Sequence, residues 1–190
     1  PLQRDVIFLI DDGEEQGLLG AEAFCEQHPW ARQLGPVVNL EARGTTGPSL
    51  MFETNRGNSA IIRAVAGALH RPATNSIYYT IYQLLPNDTD FTVFKRYGLN
   101  GTNFAFVGGA PRYHTTRDDL AHVDLGSLQH QGDNALAMVR AFASGESPDH
   151  GSGDTTYFDV LTFGVISWPA AWTPALAIIA ALMILAAVIR

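Results

Sequence analysis

Two adjacent carboxylates, Glu14 and Glu15, have the residue types and the position that chemistry requires. They lie at the end of an apolar run that begins after Asp5, and a glycine-bounded turn follows them. An open α/β sheet places its ligand sites at the carboxyl ends of its strands. Because successive side chains alternate in direction along an extended backbone, two neighbouring carboxylates can serve different purposes there. We therefore expect one of them to bind a metal ion and the other to transfer a proton.

Two more side chains suited to metal binding lie at the ends of other predicted elements. Glu41 ends a short apolar segment, and His114 lies in a loop that follows a Gly-Gly-Ala-Pro turn. Carboxylates and an imidazole, without a thiolate, suit a catalytic zinc ion, which keeps one position open for water. Zinc lowers the pKa of that water, so that it can attack a carbonyl carbon near neutral pH. Glu14, beside the predicted ligand Glu15, is then placed to act as the general base.

Each of these residues also has a simpler interpretation when it is taken alone. An acidic pair at the end of a strand is often a solvated cap, and a loop histidine such as His114 is often only hydrogen-bonded. The metal-site interpretation therefore depends on Glu15, Glu41 and His114 being brought together by the fold.

The elements that must position these residues alternate between strands and helices. The predicted strands are residues 5–12, 36–42, 49–54 and 101–107. The predicted helices are residues 17–28, 58–69, 89–97 and 126–143. Helical spacing of apolar residues defines the helices, and short apolar runs define the strands. The alternation predicts an α/β fold, a three-layer α/β/α sandwich.

Composition narrows the classes of function. The 190 residues are enough for one ordinary domain with a substantial core. The chain carries 12 Lys and Arg against 19 Asp and Glu, a net charge of -7, which argues against nucleic acid as a partner. Its lone cysteine, Cys25, excludes an internal disulfide framework and a cysteine zinc knuckle.

The last part of the chain has the composition of a membrane segment. From Phe158 onward it is almost free of charge, and residues 175–189 are wholly apolar. With Trp168 and Trp172 ahead of it, this run approaches the about 20 residues that cross a bilayer. We predict a transmembrane helix at about residues 172–189 that contacts membrane lipid.

Three regions follow from these observations. Residues 1–144 are predicted to form the C-terminal part of a catalytic domain, 145–156 a polar linker, and 157–190 a membrane-proximal segment with the transmembrane helix. The terminal Arg190 favours a cytoplasmic end for that helix. The domain is therefore expected on the lumenal or extracytoplasmic side of a membrane.

Four short blocks of sequence occur in the order Asp12-Gly-Glu-Glu-Gln-Gly-Leu-Leu-Gly-Ala, Asn39-Leu-Glu, Asn87-Asp-Thr-Asp-Phe and Tyr113-His-Thr-Thr-Arg-Asp. Together and in this order, they resemble the co-catalytic zinc aminopeptidase family (peptidase family twenty-eight). That family also includes glutaminyl cyclases and catalytically silent receptor domains. The Asn39-Leu-Glu block, the membrane segment and Tyr157-Phe-Asp-Val-Leu are most similar to the membrane-anchored vacuolar and endoplasmic-reticulum metallopeptidases. The resemblance implies a mixed central sheet, of which this chain supplies a part.

The resemblance also implies roles for the chemistry-bearing residues. Glu14 matches the general base, and Glu15 matches a zinc ligand that shares its metal with His114. Glu41 matches the position where soluble relatives have an aspartate ligand of a second zinc ion. The implied activity is hydrolysis of peptide substrates by a zinc-dependent exopeptidase.

Three further residues are implied near the site. Asp88 matches an acid that would orient a ligand or a substrate amine. Tyr113 is expected to hold the substrate carbonyl or to pack beside it, and Asp118 is expected to fix the loop that carries His114.

One part of the family pattern is missing. The two-metal site requires a His-x-Asp motif upstream of Glu14, and no residue of this chain matches it. The chain is therefore expected to be a fragment of a longer protein, with little or no activity in isolation. A glutaminyl-cyclase-like acyltransferase and a receptor-like or scaffold domain without metals are the alternatives within the same fold.

Overall fold

A computed structural model describes residues 2–145, 148 and 153–189. Its main sheet has three strands: β1 (Val37–Ala42), β2 (Leu50–Thr54) and β3 (Gly101–Phe106). Their order is β1-β3-β2, with β1 parallel and β2 antiparallel to β3. The central strand β3 is buried along its whole length, which agrees with its nearly continuous apolar and small residues.

Six α-helices and a hairpin complete the described part of the chain. The helices are α1 (Leu19–Gln27), α2 (Ser59–Ala68), α3 (Ser76–Tyr82), α4 (Asp90–Arg96), α5 (Leu125–Ser144) and α6 (Thr173–Ile189). The hairpin strands are β4 (Thr155–Asp159) and β5 (Val165–Pro169). Short 3-10 helices cover Pro29–Gln33, Ala110–Arg112, Leu120–His122 and Ala170–Trp172.

Helices cover both faces of the main sheet. On one face, Ile61 and Val65 of α2 and Met138 of α5 pack against Met51 and Phe104 of the sheet. On the other face, a second apolar cluster joins α1 and α4 to β1. The predicted three-layer α/β/α arrangement with a mixed sheet is therefore confirmed.

The predicted strand at residues 5–12 is wrong. These residues form no strand, and the side chains of Phe8 and Ile10 are 85% and 95% exposed. Their apolar pattern is that of a buried strand, but among the described residues no neighbouring strand pairs with them. Hydrogen bonds from the backbone N–H groups of Gln3 and Arg4 to the carbonyl oxygen of Ala143 hold the start of this segment against the end of α5.

Two features differ from the predicted helices. The helix predicted from residue 17 begins at Leu19, because Gly17 and Leu18 have positive φ angles of 113° and 62°. Helix α3 was not predicted, since Ile, Tyr and Thr dominate its sequence and favour strands. Asn75 starts it, because its side chain accepts a hydrogen bond from the N–H of Ile77 at 2.9 Å.

The hairpin before α6 belongs to the packed core. Tyr157 of β4 is 2% exposed and lies in the same apolar cluster as α2 and α5. Thr74 and Asp159 exchange hydrogen bonds that fix the end of β4 beside the sheet. The predicted linker at 145–156 stays a prediction, because its residues 146, 147 and 149–152 lie outside the described residues.

The C-terminal helix has the properties predicted for a membrane segment. With the 3-10 helix before it, α6 forms the segment Ala170–Ile189, which is 20 residues long, apolar, and not buried by the rest of the described chain, so its length and composition suffice to cross a bilayer. Its first turn is attached to the hairpin, because the indole N–H of Trp168 donates to Thr173 Oγ1 at 3.0 Å. The Thr156 hydroxyl lies 2.9 Å from the same oxygen.

Candidate active site

A tight turn before α1 carries the adjacent carboxylates. The N–H groups of Gly17 and Leu18 both donate to the carbonyl oxygen of Glu14, at 3.0 and 2.9 Å. Gly13 opens the turn with a φ of 80°, a conformation that glycine adopts without strain. The turn presents Glu14 and Glu15 on the wall of an open cavity.

His114 reaches the same place from a distant loop. Its backbone is left-handed, with a φ of 57°, directly after the 3-10 helix at Ala110–Arg112. Its ring stacks on Tyr113 with centroids 3.8 Å apart. Nε2 of His114 lies 2.6 Å from Oε1 of Glu15, although 99 residues separate the two along the chain. The structure thus brings together the two side chains predicted to share a metal.

Glu41 lies at the end of β1 on the wall of the same cavity. Its Oε1 accepts a hydrogen bond from Asn39 Nδ2 at 2.8 Å. Burial raises the pKa of Glu41 to about 7; the hydrogen bond from Asn39 opposes this, and the charges of Glu14, Asp90 and Asp11 add to it. Glu41 is therefore a buried carboxyl group with other acids nearby, and a nearby cation would stabilise its ionised form.

The same crowding affects two other acids. Burial raises the pKa of Glu14, and the neighbouring charge of Glu15 raises it further, while His114 acts in the opposite direction. Burial also raises the pKa of Asp90 to about 6, with the charges of Asp11 and Glu14 adding to the effect. The site therefore concentrates more negative charge than the described residues neutralise.

Replacing Asp90 with asparagine is expected to raise the melting temperature of the metal-free full-length protein by a few degrees at pH 7.5. The fold raises the pKa of Asp90 from 3.8 to about 6, so the protonated form favours the folded state. That stabilising contribution is complete below the unfolded pKa and is lost as the pH rises through about 6. Thermal melting after chelator treatment measures the change, and at pH 4 the two proteins should differ little.

Asp88→Asn is the matched control for this experiment. Asp88 lies two residues away and is exposed, so its replacement should leave the melting temperature nearly unchanged. If Asp90→Asn does not raise the melting temperature at pH 7.5, the ionised Asp90 carboxylate does not destabilise the folded protein, and the prediction is wrong.

The side chains at the site are of the types that zinc binds, but too few of them come together to form a complete zinc site. Glu15 and His114 supply oxygen and nitrogen ligands of the type that zinc binds, and a cation would offset the surplus negative charge around them. Among the residues that the structure describes, no group of three or more His, Cys, Asp or Glu side chains could hold a metal ion. Glu41 lines the same cavity without joining the pair. A catalytic zinc site needs about three protein ligands, so this pair is part of one.

The cavity is large enough for a peptide. Its volume is about 830 Å³, within the range of about 300–1,000 Å³ typical of ligand sites. Tyr78 and Tyr82 of α3 line it, whereas Tyr79 does not. Residues four apart on a helix share a face, which explains why this pair of tyrosines meets the cavity. Phe52 packs edge-on against Tyr82 and extends the aromatic wall.

The structure places the other predicted site residues in different ways. Asp88 lines the cavity, but it is exposed, and its carboxylate accepts a hydrogen bond from the Thr92 hydroxyl at 3.0 Å. Tyr113 lines the cavity between His114 and Arg43, whose guanidinium lies 5.9 Å from the centre of the Tyr113 ring. Tyr113 thus forms part of the cavity wall beside His114.

Asp118 is not brought to the cavity. It is exposed, and its backbone N–H donates to the carbonyl oxygen of Thr115 at 3.0 Å. The neighbouring Asp119 is the capping residue of this loop, because its carboxylate accepts hydrogen bonds from the N–H and the ring of His122.

Sequence reasoning missed Asp11, Asp90 and Asn39 as members of the site. Asn39 could have been found, since it lies two residues before Glu41 on one strand and therefore on the same face. Asp90 lies in the same short block as Asp88, but only the position of α4 shows that Asp90 meets the other acids.

Comparison with known proteins assigns the family. The family model described as Peptidase family M28 matches residues 1–139, which is most of the chain. The chain belongs to peptidase family M28. This confirms the resemblance that the four sequence blocks indicated. The relatives include peptidases named for the endoplasmic reticulum and for the vacuolar membrane.

Among the relatives of this M28 chain is endoplasmic reticulum metallopeptidase 1 of Rattus norvegicus, 33% identical over 177 residues, 90% of this chain and 20% of the relative. The vacuolar membrane protease of Yarrowia lipolytica is 31% identical over 160 residues, 83% of this chain and 16% of the relative. The chain thus spans about a fifth of the length of the curated relatives it matches. No solved structure matches it.

Proposed function

We propose that this chain is part of a membrane-anchored, zinc-dependent exopeptidase that removes residues from the amino terminus of peptides. The observation that carries the proposal is the 2.6 Å approach of His114 Nε2 to Glu15 Oε1 on the wall of a peptide-sized cavity. Glu14 lies directly beside this pair. Membership of peptidase family M28 supports the same conclusion.

Each residue has a defined task in the proposed reaction. Bound zinc would supply an acidified water and a polarised substrate carbonyl. Glu15 and His114 would hold the metal, and Glu14 would take a proton from the attacking water and pass it to the departing amine. In this proposal the Tyr113 hydroxyl would donate a hydrogen bond to the substrate carbonyl oxygen.

The proposal includes a second zinc ion. Glu41 would bind it, together with a His-x-Asp pair of the kind that the resemblance implies. Since the chain spans about a fifth of its relatives' length, we expect those ligands in other parts of the full-length protein. The 190 residues alone would then show little activity.

The proposed location is the lumenal or extracytoplasmic face of a membrane. The segment Ala170–Ile189, formed by the last 3-10 helix and α6, is long and apolar enough to cross the bilayer. Arg190 follows it in the sequence, which favours a cytoplasmic end. Two relatives carry the endoplasmic reticulum and the vacuolar membrane in their names.

The function is tested with the full-length protein in detergent and a pair of peptides. A peptide with a free amino terminus should release its first amino acid, detected by mass spectrometry, whereas the same peptide with an acetylated amino terminus should stay intact. A chelator should stop the release and added zinc should restore it. Cyclisation of an amino-terminal glutamine without hydrolysis, or no reaction of either peptide with zinc present, would contradict the proposal.

A further inference from the structure

An ion pair with a buried carboxylate is linked by hydrogen bonds to Glu41 of the candidate site. Glu53 of β2 is 1% exposed, and its carboxylate pairs with Nζ of Lys95 on α4. Burying the Glu53 charge costs solvation that a well-packed apolar side chain would not lose, so such a pair is weak evidence for a stabilising role. Its position beside the site therefore calls for another explanation.

A β-bulge brings Glu53 to this face of the sheet. Met51 is opposite Phe104, but the next paired residue, Glu53, is opposite Asn103, so Phe52 is the extra residue in β2. Without the bulge, Phe52 would oppose Asn103 and Glu53 would point to the other face. Bulges often redirect a side chain next to an active site.

Two amides connect the ion pair to Glu41. Asn103, which is fully buried, donates through Nδ2 to Glu53 Oε2 at 2.9 Å and to Thr89 Oγ1 at 2.9 Å. Asn39 donates through Nδ2 to Asn103 Oδ1 at 3.0 Å and to Glu41 Oε1 at 2.8 Å. We call Asn103 and Asn39 the amide relay.

The ion pair sets the direction of every hydrogen bond in the amide relay. Lys95 can only donate, and an ionised Glu53 can only accept. Asn103 must therefore turn its NH₂ toward Glu53 and its carbonyl toward Asn39. Asn39 then has to present its NH₂ to Asn103, and the second hydrogen of that group meets Glu41. The amide relay thus ends in the NH₂ group of Asn39, a hydrogen-bond donor held in place for the Glu41 carboxylate.

We propose that the Lys95–Glu53 ion pair positions the Glu41 carboxylate for metal binding through the amide relay. The inference rests on the proposed function, since it concerns how Glu41 meets the metal. Lys95 and Glu53 are positioning residues that touch neither metal nor substrate. A purely structural ion pair would support stability alone and would leave zinc affinity unchanged.

Glu53→Gln tests the direction of the relay at nearly constant shape. Lys95 would bind the new amide oxygen, so the new NH₂ would face Asn103 and reverse both amides. Asn39 would then turn its carbonyl toward Glu41, and zinc affinity of the full-length protein should fall by about 10–100-fold, the usual effect of a ligand's hydrogen-bond partner. Chelator competition measures the affinity, and melting of the metal-free protein shows that the variant folds.

Asn39→Leu provides the second arm of a double-mutant cycle. It cuts the relay next to Glu41, so Glu53→Gln should cause no further loss of zinc affinity in that background. Lys95→Arg keeps the charge and should keep the affinity. The matched control is Asn134→Leu: Asn134 is a buried asparagine of α5, and its replacement should lower stability without changing zinc affinity.

The outcomes separate the relay from the proposed function. Normal zinc affinity in Glu53→Gln, or losses in Glu53→Gln and Asn39→Leu that add, would overturn the relay and leave the proposed function standing. A wild-type protein that binds no zinc would overturn both. A loss of affinity in Glu53→Gln that disappears in the Asn39→Leu background supports the relay.

Discussion

Replacing Glu14 with glutamine in the full-length protein is expected to abolish peptide hydrolysis while the zinc content stays at the wild-type level. Glutamine keeps the size of the side chain but cannot accept a proton from the attacking water. Loss of a general base typically lowers kcat by about 10²–10⁴-fold. Because Glu14 lies beside the Glu15–His114 pair without being part of it, metal binding should survive. Steady-state kinetics and metal analysis of the same preparation measure both quantities.

Glu22→Gln is the control for this experiment. Glu22 also lines the cavity, but its carboxylate pairs with Arg96 at 3.5 Å, away from the proposed chemistry. The control should hydrolyse peptides at nearly the wild-type rate. Loss of zinc from Glu14→Gln would show that Glu14 is a ligand and that the base and ligand assignments of Glu14 and Glu15 must be exchanged.

Replacing His114 with alanine is expected to lower zinc affinity more strongly than any change in the amide relay. The imidazole is one member of the Glu15–His114 pair, in which Nε2 lies 2.6 Å from Oε1. Its removal takes away a direct ligand, so the loss should exceed the about 10–100-fold expected for a hydrogen-bond partner of a ligand. Zinc affinity by chelator competition is the measurement, with activity as a second readout.

His122→Ala is the matched control, since His122, eight residues after His114, is an exposed histidine that pairs with Asp119. It should retain wild-type zinc affinity. Equal affinity in His114→Ala and in the wild-type protein would remove His114 from the metal site.

Local sequence signals predicted most of the elements that carry the site. The apolar runs at β1 and β3 and the helical spacing in α2 and α5 gave bounds within a few residues of those observed. The approach of His114 to Glu15 had no local signal, because 99 residues separate them. It was predicted from the order of the four sequence blocks that resemble the family.

Features that depend on tertiary pairing could not be predicted from the sequence. Residues 5–12 have the pattern of a buried strand, but a strand exists only where a neighbour supplies hydrogen bonds. The Lys95–Glu53 pair depends on the bulge at Phe52. No glycine or other turn residue at this position indicates a bulge in the sequence. The part played by Asp90 required the position of α4 against the turn that carries Glu14.

If Glu15 and His114 hold one zinc ion, crystals of the zinc-loaded full-length protein should show it by anomalous diffraction at the zinc edge. The expected anomalous peak lies at about 2.0–2.2 Å from both Glu15 Oε1 and His114 Nε2. A peak elsewhere, with these two side chains still hydrogen-bonded to each other, would show that the pair is not a zinc site.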